Sequence, residues 1–167
     1  MLTQLILNLF LVVNTIYNYN IPSASGGEIK FSDFSGKKVL IVNVASQSKY
    51  SQQLQRLDSL QIQYLDSLVV VVIPSNSFGH EPMDSIQVQT AFNGYHFKVA
   101  AKSSITGAGQ SVLYNWLTNE AENERFSSQV KDDFQKYLID GTGNLIGIFV
   151  SSVDPLSKEL TSNLKTN

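Results

Sequence analysis

Two apolar runs separated by a helical stripe constrain the fold of this chain more than any other feature. The runs are KKVLIVNVAS at residues 37–46 and SLVVVVIPSN at residues 67–76. Continuous apolar runs of this length are typical of strands buried on both faces of a helix-covered sheet. Between them, apolar residues recur at helical spacing and Ser51 is a candidate N-cap (Leu54, Leu57, Leu60, Tyr64, Leu65). We therefore predict a right-handed parallel strand–helix–strand unit.

The rest of the chain predicts elements that surround this unit. Two short strands at residues 15–21 and 27–34, around Pro22 and the Gly26-Gly27 pair, predict an N-terminal β-hairpin. The Asp-Gly-Thr-Gly turn at residues 140–143 predicts a second hairpin. Further predictions are helices over 84–92 and 111–122, a strand within 96–102, and a closing helix that starts at Asp154 or Pro155. The whole pattern indicates an α/β domain, with a central mixed sheet of about four to five strands flanked by helices.

Composition narrows the partners and the chemistry open to the chain. At 167 residues it is long enough for one substantial core and is interpreted as a single domain. Lysine and arginine total 12 and are dispersed, so we expect no nucleic-acid partner. Cysteine is absent from the sequence, which excludes disulfides, thiolate metal sites and cysteine redox chemistry within these residues.

Residues 1–14 form a short apolar segment whose leucines recur at helical spacing. One interpretation is an amphipathic helix packed on the domain or on a second copy of the chain, which leaves a homo-oligomer open. The other is the remnant of an export signal, although a basic flank and an Ala-x-Ala site are missing. Because a spanning helix needs roughly 20 apolar residues, we expect no integral membrane span. A cytoplasmic and an exported location both stay open.

Three sequence segments follow one another in an order and at separations that match a known family. They are GKKVLIVNVAS at residues 36–46, IPSNSFGHEP at residues 73–82 and FQKYLIDGTGNLI at residues 134–146. Together they resemble the glutathione peroxidases, enzymes that reduce hydroperoxides with thiols in the response to oxidative stress. The resemblance implies a thioredoxin-like fold for residues 15–167.

The same resemblance places altered residues at all four catalytic positions of the family. The reactive cysteine or selenocysteine corresponds to Ser48, and the glutamine of the middle segment corresponds to Ser77. The family's Trp-Asn pair corresponds to Asp132 and Asp133. These positions are therefore predicted to be non-functional in peroxide reduction.

Neighbouring positions depart from the family pattern as well. A second loop cysteine is replaced by Ser75, and the resolving cysteine of some members falls near Gln89. Lys49 stands where a glycine is usual, and His80 replaces two family residues, which shortens the loop by one.

These changes should silence the family's reaction. Peroxide reduction needs a thiolate or selenolate that attacks the O–O bond and is then reduced by thiols. A serine hydroxyl is scarcely ionised at neutral pH and has no comparable reversible oxidation. The family's Gln, Trp and Asn donate N–H groups to the reacting atoms, whereas ionised Asp132 and Asp133 only accept hydrogen bonds.

The same positions also contain residues used in two other chemistries, serine hydrolysis and metal binding. Ser48 could serve a hydrolase only if the fold brought His80 or His96 within hydrogen-bonding reach, and a Gly-x-Ser-x-Gly elbow is missing. The plainer interpretation is that Ser48 caps or precedes the helix. Asp132 and Asp133, with Ser48 and His80, could hold a divalent cation if they converged, but their spacing matches no metal motif. We predict no cofactor and no metal.

Two hypotheses about function remain. The first is a peroxidase, either a cysteine-replaced variant of an active enzyme or a member assigned the activity by relationship alone. The second is a pseudoenzyme that keeps the fold to bind a small molecule or a protein at the former active-site face. Cysteine replacement explains Ser48 and Ser75 but leaves Ser77, Asp132 and Asp133 unexplained. The sequence therefore favours the second hypothesis.

Overall fold

The computed structural model describes residues 14–165 of the chain. This part contains seven strands and five α-helices. The strands are β1 (Asn20–Pro22), β2 (Glu28–Lys30), β3 (Lys38–Val44), β4 (Leu68–Pro74), β5 (Lys98–Val99), β6 (Lys136–Ile139) and β7 (Leu145–Phe149). The helices are α1 (Gln53–Gln63), α2 (Ser85–Ala91), α3 (Val112–Thr118), α4 (Glu120–Asn123) and α5 (Lys158–Thr161).

The central sheet has the order β5-β4-β3-β6-β7 and is mixed. β3 and β4 run parallel, with Val42 opposite Val72, and α1 connects them. The predicted parallel unit is therefore present. β6 pairs antiparallel with β3 and with β7, while β1 and β2 form a separate antiparallel hairpin. The predicted α/β architecture, including the N-terminal hairpin, is confirmed.

Both faces of the sheet are buried, because side chains along a strand point alternately to either side. Val39 and Ile41 face a layer that contains Trp116 of α3, while Leu40 and Val42 face a layer built on α1. This double coverage is the reason the two central strands are apolar at nearly every position.

Helix boundaries differ from the predicted ones at three places. Ser51 does not cap α1, since residues 48–53 form successive turns in which the N–H of Ser51 donates to Ser48 O at 3.0 Å. The helix predicted over 111–122 is interrupted at Asn119, whose side chain accepts from the N–H of Ala121 and so caps α4. The closing helix starts at Lys158, because Asp154 instead forms a turn with the N–H groups of residues 156 and 157.

Other predicted elements are present but shorter. The strand expected within 96–102 is the two-residue β5. The strands expected near the N-terminus are shortened by two 3-10 turns, at Ile16–Asn18 and Phe31–Phe34. Asp84 caps α2, accepting from the N–H groups of residues 86 and 87.

The apolar segment predicted at 1–14 falls, apart from Asn14, outside the described residues. Among residues 14–165, no helix has the length and apolar character needed to cross a bilayer.

Candidate functional site

Three segments meet at one edge of the sheet, where β3 and β4 end and β6 begins. Because β3 and β4 are parallel, their carboxyl ends carry residues 45–48 and 75–81 to the same edge. β6 runs antiparallel to β3, with Lys136 opposite Val42, so the residues before β6 reach this edge as well. This topology gathers segments that are distant in sequence.

Backbone and carboxylate hydrogen bonds join the first two segments. The Ser46 N–H and hydroxyl donate to the fully buried carboxylate of Glu81 at 2.8 and 2.9 Å. The N–H of Gln47 donates to His80 O at 3.0 Å. The loop that follows β3 is therefore fixed against the loop that follows β4.

Ser48 lies in this fixed loop, between β3 and α1. Its side chain is buried, and its hydroxyl accepts from the N–H of Tyr50 at 3.3 Å. α1 begins at Gln53, five residues later, so Ser48 precedes the helix and does not cap it.

Ser77 is engaged within its own loop. Its hydroxyl accepts from Ser75 Oγ at 3.0 Å and from the N–H of Ile105 at 3.1 Å. The side chain thus stabilises the connection between the loop after β4 and the segment before α3.

Asp132 and Asp133 are each paired with a cationic or titratable side chain from the opposite loops. Lys49 Nζ lies 3.1 Å from Asp132 Oδ2, and His80 Nδ1 lies 2.6 Å from Asp133 Oδ2. The hydrogen bond to Asp132 and its negative charge raise the pKa of Lys49. The Asn43 amide of β3 donates to Asp132 O at 3.1 Å and holds the segment against the sheet.

The Asp133–His80 pair has the form of the acid–base half of a hydrolase triad, but the nucleophile is not joined to it. Within residues 14–165, no hydrogen bond connects the Ser48 hydroxyl to either nitrogen of His80. His96 is paired with Asp58 instead. The geometry therefore gives no support to the serine hydrolase alternative.

Comparison with known proteins decides the family. The sequence model described as glutathione peroxidase matches residues 16–118, well over half of the chain. The chain belongs to the glutathione peroxidase family. A relative named glutathione peroxidase 1, from Caenorhabditis elegans, is 34% identical over 162 residues, which cover 92% of this chain and 96% of that protein. The glutathione peroxidase-like peroxiredoxin 2 of Saccharomyces cerevisiae is 29% identical and covers 92% of this chain and 99% of its own length.

Solved structures agree with this assignment at the level of the fold. The crystal structure of T. cruzi GPX1 aligns with a TM-score of 0.68 at 23% identity and covers 90% of this chain and 94% of that one. A thioredoxin family protein from Chlorobium tepidum, 12% identical, aligns with a TM-score of 0.64 over 87% of this chain and 92% of that one. The predicted thioredoxin-like fold of the glutathione peroxidase family is therefore confirmed.

Sequence reasoning did not foresee how the altered positions are paired. It placed Lys49, His80 and the two aspartates near the former active site, but not the pairs Lys49–Asp132 and His80–Asp133. Nor did it single out Glu81, although this residue lies in a segment that matches the glutathione peroxidase pattern. The signal available in the sequence was an acidic residue retained within that matched segment.

Proposed function

We propose that this chain is a non-catalytic member of the glutathione peroxidase family, which keeps the fold to bind a ligand at the former active-site face. The observation that carries the proposal is the absence of cysteine from the sequence, with Ser48 at the position that the family resemblance assigns to the reacting chalcogen.

The chemistry of this position supports the absence of peroxide reduction. Attack on a peroxide needs a polarisable thiolate or selenolate, and the oxidised product must then be reduced by a second thiol. The Ser48 hydroxyl provides neither property. Its only hydrogen bond is local, to Tyr50, and no base lies within bonding reach among the described residues.

The surroundings of Ser48 support the same conclusion. Ser77 is bonded to Ser75 and Ile105, so its hydroxyl is already engaged away from residue 48. Asp132 and Asp133 are paired with Lys49 and His80. The three donors that the family directs at the reacting atom are thus replaced by a serine in a local network and by two ion-pair acceptors.

A cysteine-replaced variant of an active peroxidase is the competing explanation. It accounts for serine at 48 and 75, but it gives no reason for the aspartates or for the shortened loop at His80. The codons of the native gene at positions 48, 75 and 77 distinguish the two explanations. A cysteine or selenocysteine codon at 48 would contradict our proposal.

Activity is tested with tag-free protein, hydrogen peroxide or a lipid hydroperoxide, and either glutathione or thioredoxin as reductant. We expect consumption of peroxide at the uncatalysed rate, equal for the wild type and the Ser48→Ala control. Turnover that Ser48→Ala abolishes would overturn the proposal. Thermal unfolding of both proteins checks that the comparison is made between folded chains.

A further inference from the structure

One histidine and two aspartates converge at the edge of the sheet described above. A ligand atom from each of His80, Asp132 and Asp133 lies within 4.8 Å of the others. Two ligands bound at about 2.1 Å to one ion are at most about 4.2 Å apart. The separations therefore exceed that limit by at most about 0.6 Å, and His80, whose side chain is 48% exposed, has room to rotate.

A second observation concerns the buried carboxylate of this cluster. Asp133 has no exposed surface, and within the described residues its Oδ1 has no hydrogen-bond partner. A charged oxygen that is buried without a partner is costly, and native structures generally satisfy such atoms with protein groups, water or an ion. The other oxygen, Oδ2, lies within hydrogen-bonding distance of His80 Nδ1, at 2.6 Å. Asp133 therefore retains coordinating capacity that the protein does not use.

Lys49 presents the only cationic contact to Asp132 in the described chain, and it is easily displaced. Its side chain is 69% exposed, and the Nζ–Oδ2 distance is 3.1 Å. Exposed ion pairs of this kind contribute little to stability, because water and salt screen them. A divalent ion would replace the lysine at Asp132 at small cost.

The donor set indicates the class of ion. One imidazole nitrogen with two carboxylate oxygens suits a first-row transition ion such as Zn²⁺, since Ca²⁺ and Mg²⁺ prefer six or more oxygen ligands. We propose that His80, Asp132 and Asp133 bind one divalent transition ion of the Zn²⁺ type, with water completing its coordination. This inference rests on the proposed function, because it names the class of ligand bound at the former active-site face. It departs from the prediction, made from the sequence, that no metal is bound.

The test is a titration of tag-free, metal-stripped protein with Zn²⁺ by calorimetry and with Co²⁺ by visible absorption. We expect one ion per chain and a Co²⁺ spectrum of bound nitrogen and oxygen ligands. His80→Gln and Asp132→Asn should each weaken binding by at least about tenfold, as loss of a direct ligand costs at least as much as loss of a supporting group. Lys49→Ala should strengthen it, because the competing cation is gone.

The matched control is His96→Gln, which removes the other histidine paired with an aspartate. Binding should be unchanged in this variant. His80 is half-exposed, so His80→Gln should fold, and circular dichroism verifies this for every variant. Absence of stoichiometric Zn²⁺ or Co²⁺ binding would overturn the inference, as would binding that His80→Gln leaves intact or a preference for Ca²⁺ or Mg²⁺.

The metal titration and the peroxide assay test different proposals, so a negative result in one does not decide the other. Peroxide turnover by metal-free protein would refute the non-catalytic function and leave the binding data interpretable. Absence of metal binding without turnover would remove the metal site and leave the non-catalytic proposal in place.

Discussion

Glu81 and Ser46 form a buried link between the two loops that would flank a peroxidase active site. Both carboxylate oxygens of Glu81 are used: Oε2 accepts from the Ser46 N–H, and Oε1 accepts from the Ser46 hydroxyl and from the N–H of Met83. The loops are thus held in place next to Ser48 and Ser77, which we predict to be altered catalytic positions.

Removal of this link should destabilise the protein. Glu81→Ala leaves three donors without their acceptor, and hydrogen bonds to charged groups contribute about 1.5–3 kcal/mol each in favourable cases. Because losses within one network do not add, we expect the free energy of unfolding to fall by about 3 kcal/mol. Urea denaturation measures the change. The control Glu28→Ala removes an exposed glutamate and should change stability by under about 0.5 kcal/mol; equal effects of the two variants would refute the role of Glu81.

Lys136 should make stability depend on pH in the alkaline range. Its ammonium group is buried and donates to Phe134 O at 2.8 Å and to Ser151 O at 3.2 Å. Burial lowers the pKa of Lys136 from 10.5 to about 8, and the negative charge of Asp154 opposes the shift. Between those two values the unfolded chain holds a proton that the folded protein has released, so stability rises with pH in this window.

The comparison of wild type with Lys136→Met isolates this effect. From pH 8 to pH 10 the free energy of unfolding of the wild type should rise by about 2 kcal/mol relative to that of the variant. The full slope is about 1.36 kcal/mol per pH unit, and it is smaller close to either pKa because Lys136 is only partly titrated there. Below about pH 7, one unit under the folded-state pKa, the difference should be constant because Lys136 is protonated in both the folded and the unfolded state. Lys131→Met removes an exposed lysine and serves as the control. A flat difference for Lys136→Met across pH 8–10 would contradict the assignment.

Restoring a thiol at residue 48 should not restore the reaction. The positive end of a helix acts within its first turn, and α1 begins at Gln53, beyond the reach of Ser48. Lys49 is already paired with Asp132. We therefore expect the thiol of Ser48→Cys to titrate at about 8.5, the value of a free cysteine, or above it, and peroxide reduction to stay weak.

The pH dependence of iodoacetamide alkylation measures this titration, with the exposed position in Ser152→Cys as the reference. Peroxide reduction should rise only when Ser77→Gln, Asp132→Trp and Asp133→Asn are added to Ser48→Cys. A midpoint well below that of the reference would show that the site still activates a thiol, and would contradict this prediction.

Local sequence patterns were sufficient to predict the central sheet and the family. Residues 38–44 and 68–74 are apolar at nearly every position, which is typical of a strand covered on both faces. The resemblance of the three segments to the family predicts that residues 48, 77, 132 and 133 are altered catalytic positions. These features are local: each is encoded in a continuous stretch of chain, so a pattern reveals it without knowledge of the rest. Helix ends were harder to predict, because Asn119 and Asp154 end or delay helices through side-chain hydrogen bonds that the apolar spacing does not record.

The side-chain pairs at the candidate site could be recognised only in the folded protein. His80 and Asp133 are 53 residues apart in sequence, and they meet because β4 and β6 flank β3 and bring their loops to one edge. The same geometry buries Asp133, leaving its Oδ1 without a hydrogen-bond partner among residues 14–165, and brings Lys49 next to Asp132. No local pattern contains this information, since the free energy of each pair depends on distance and burial, and both are properties of the folded chain.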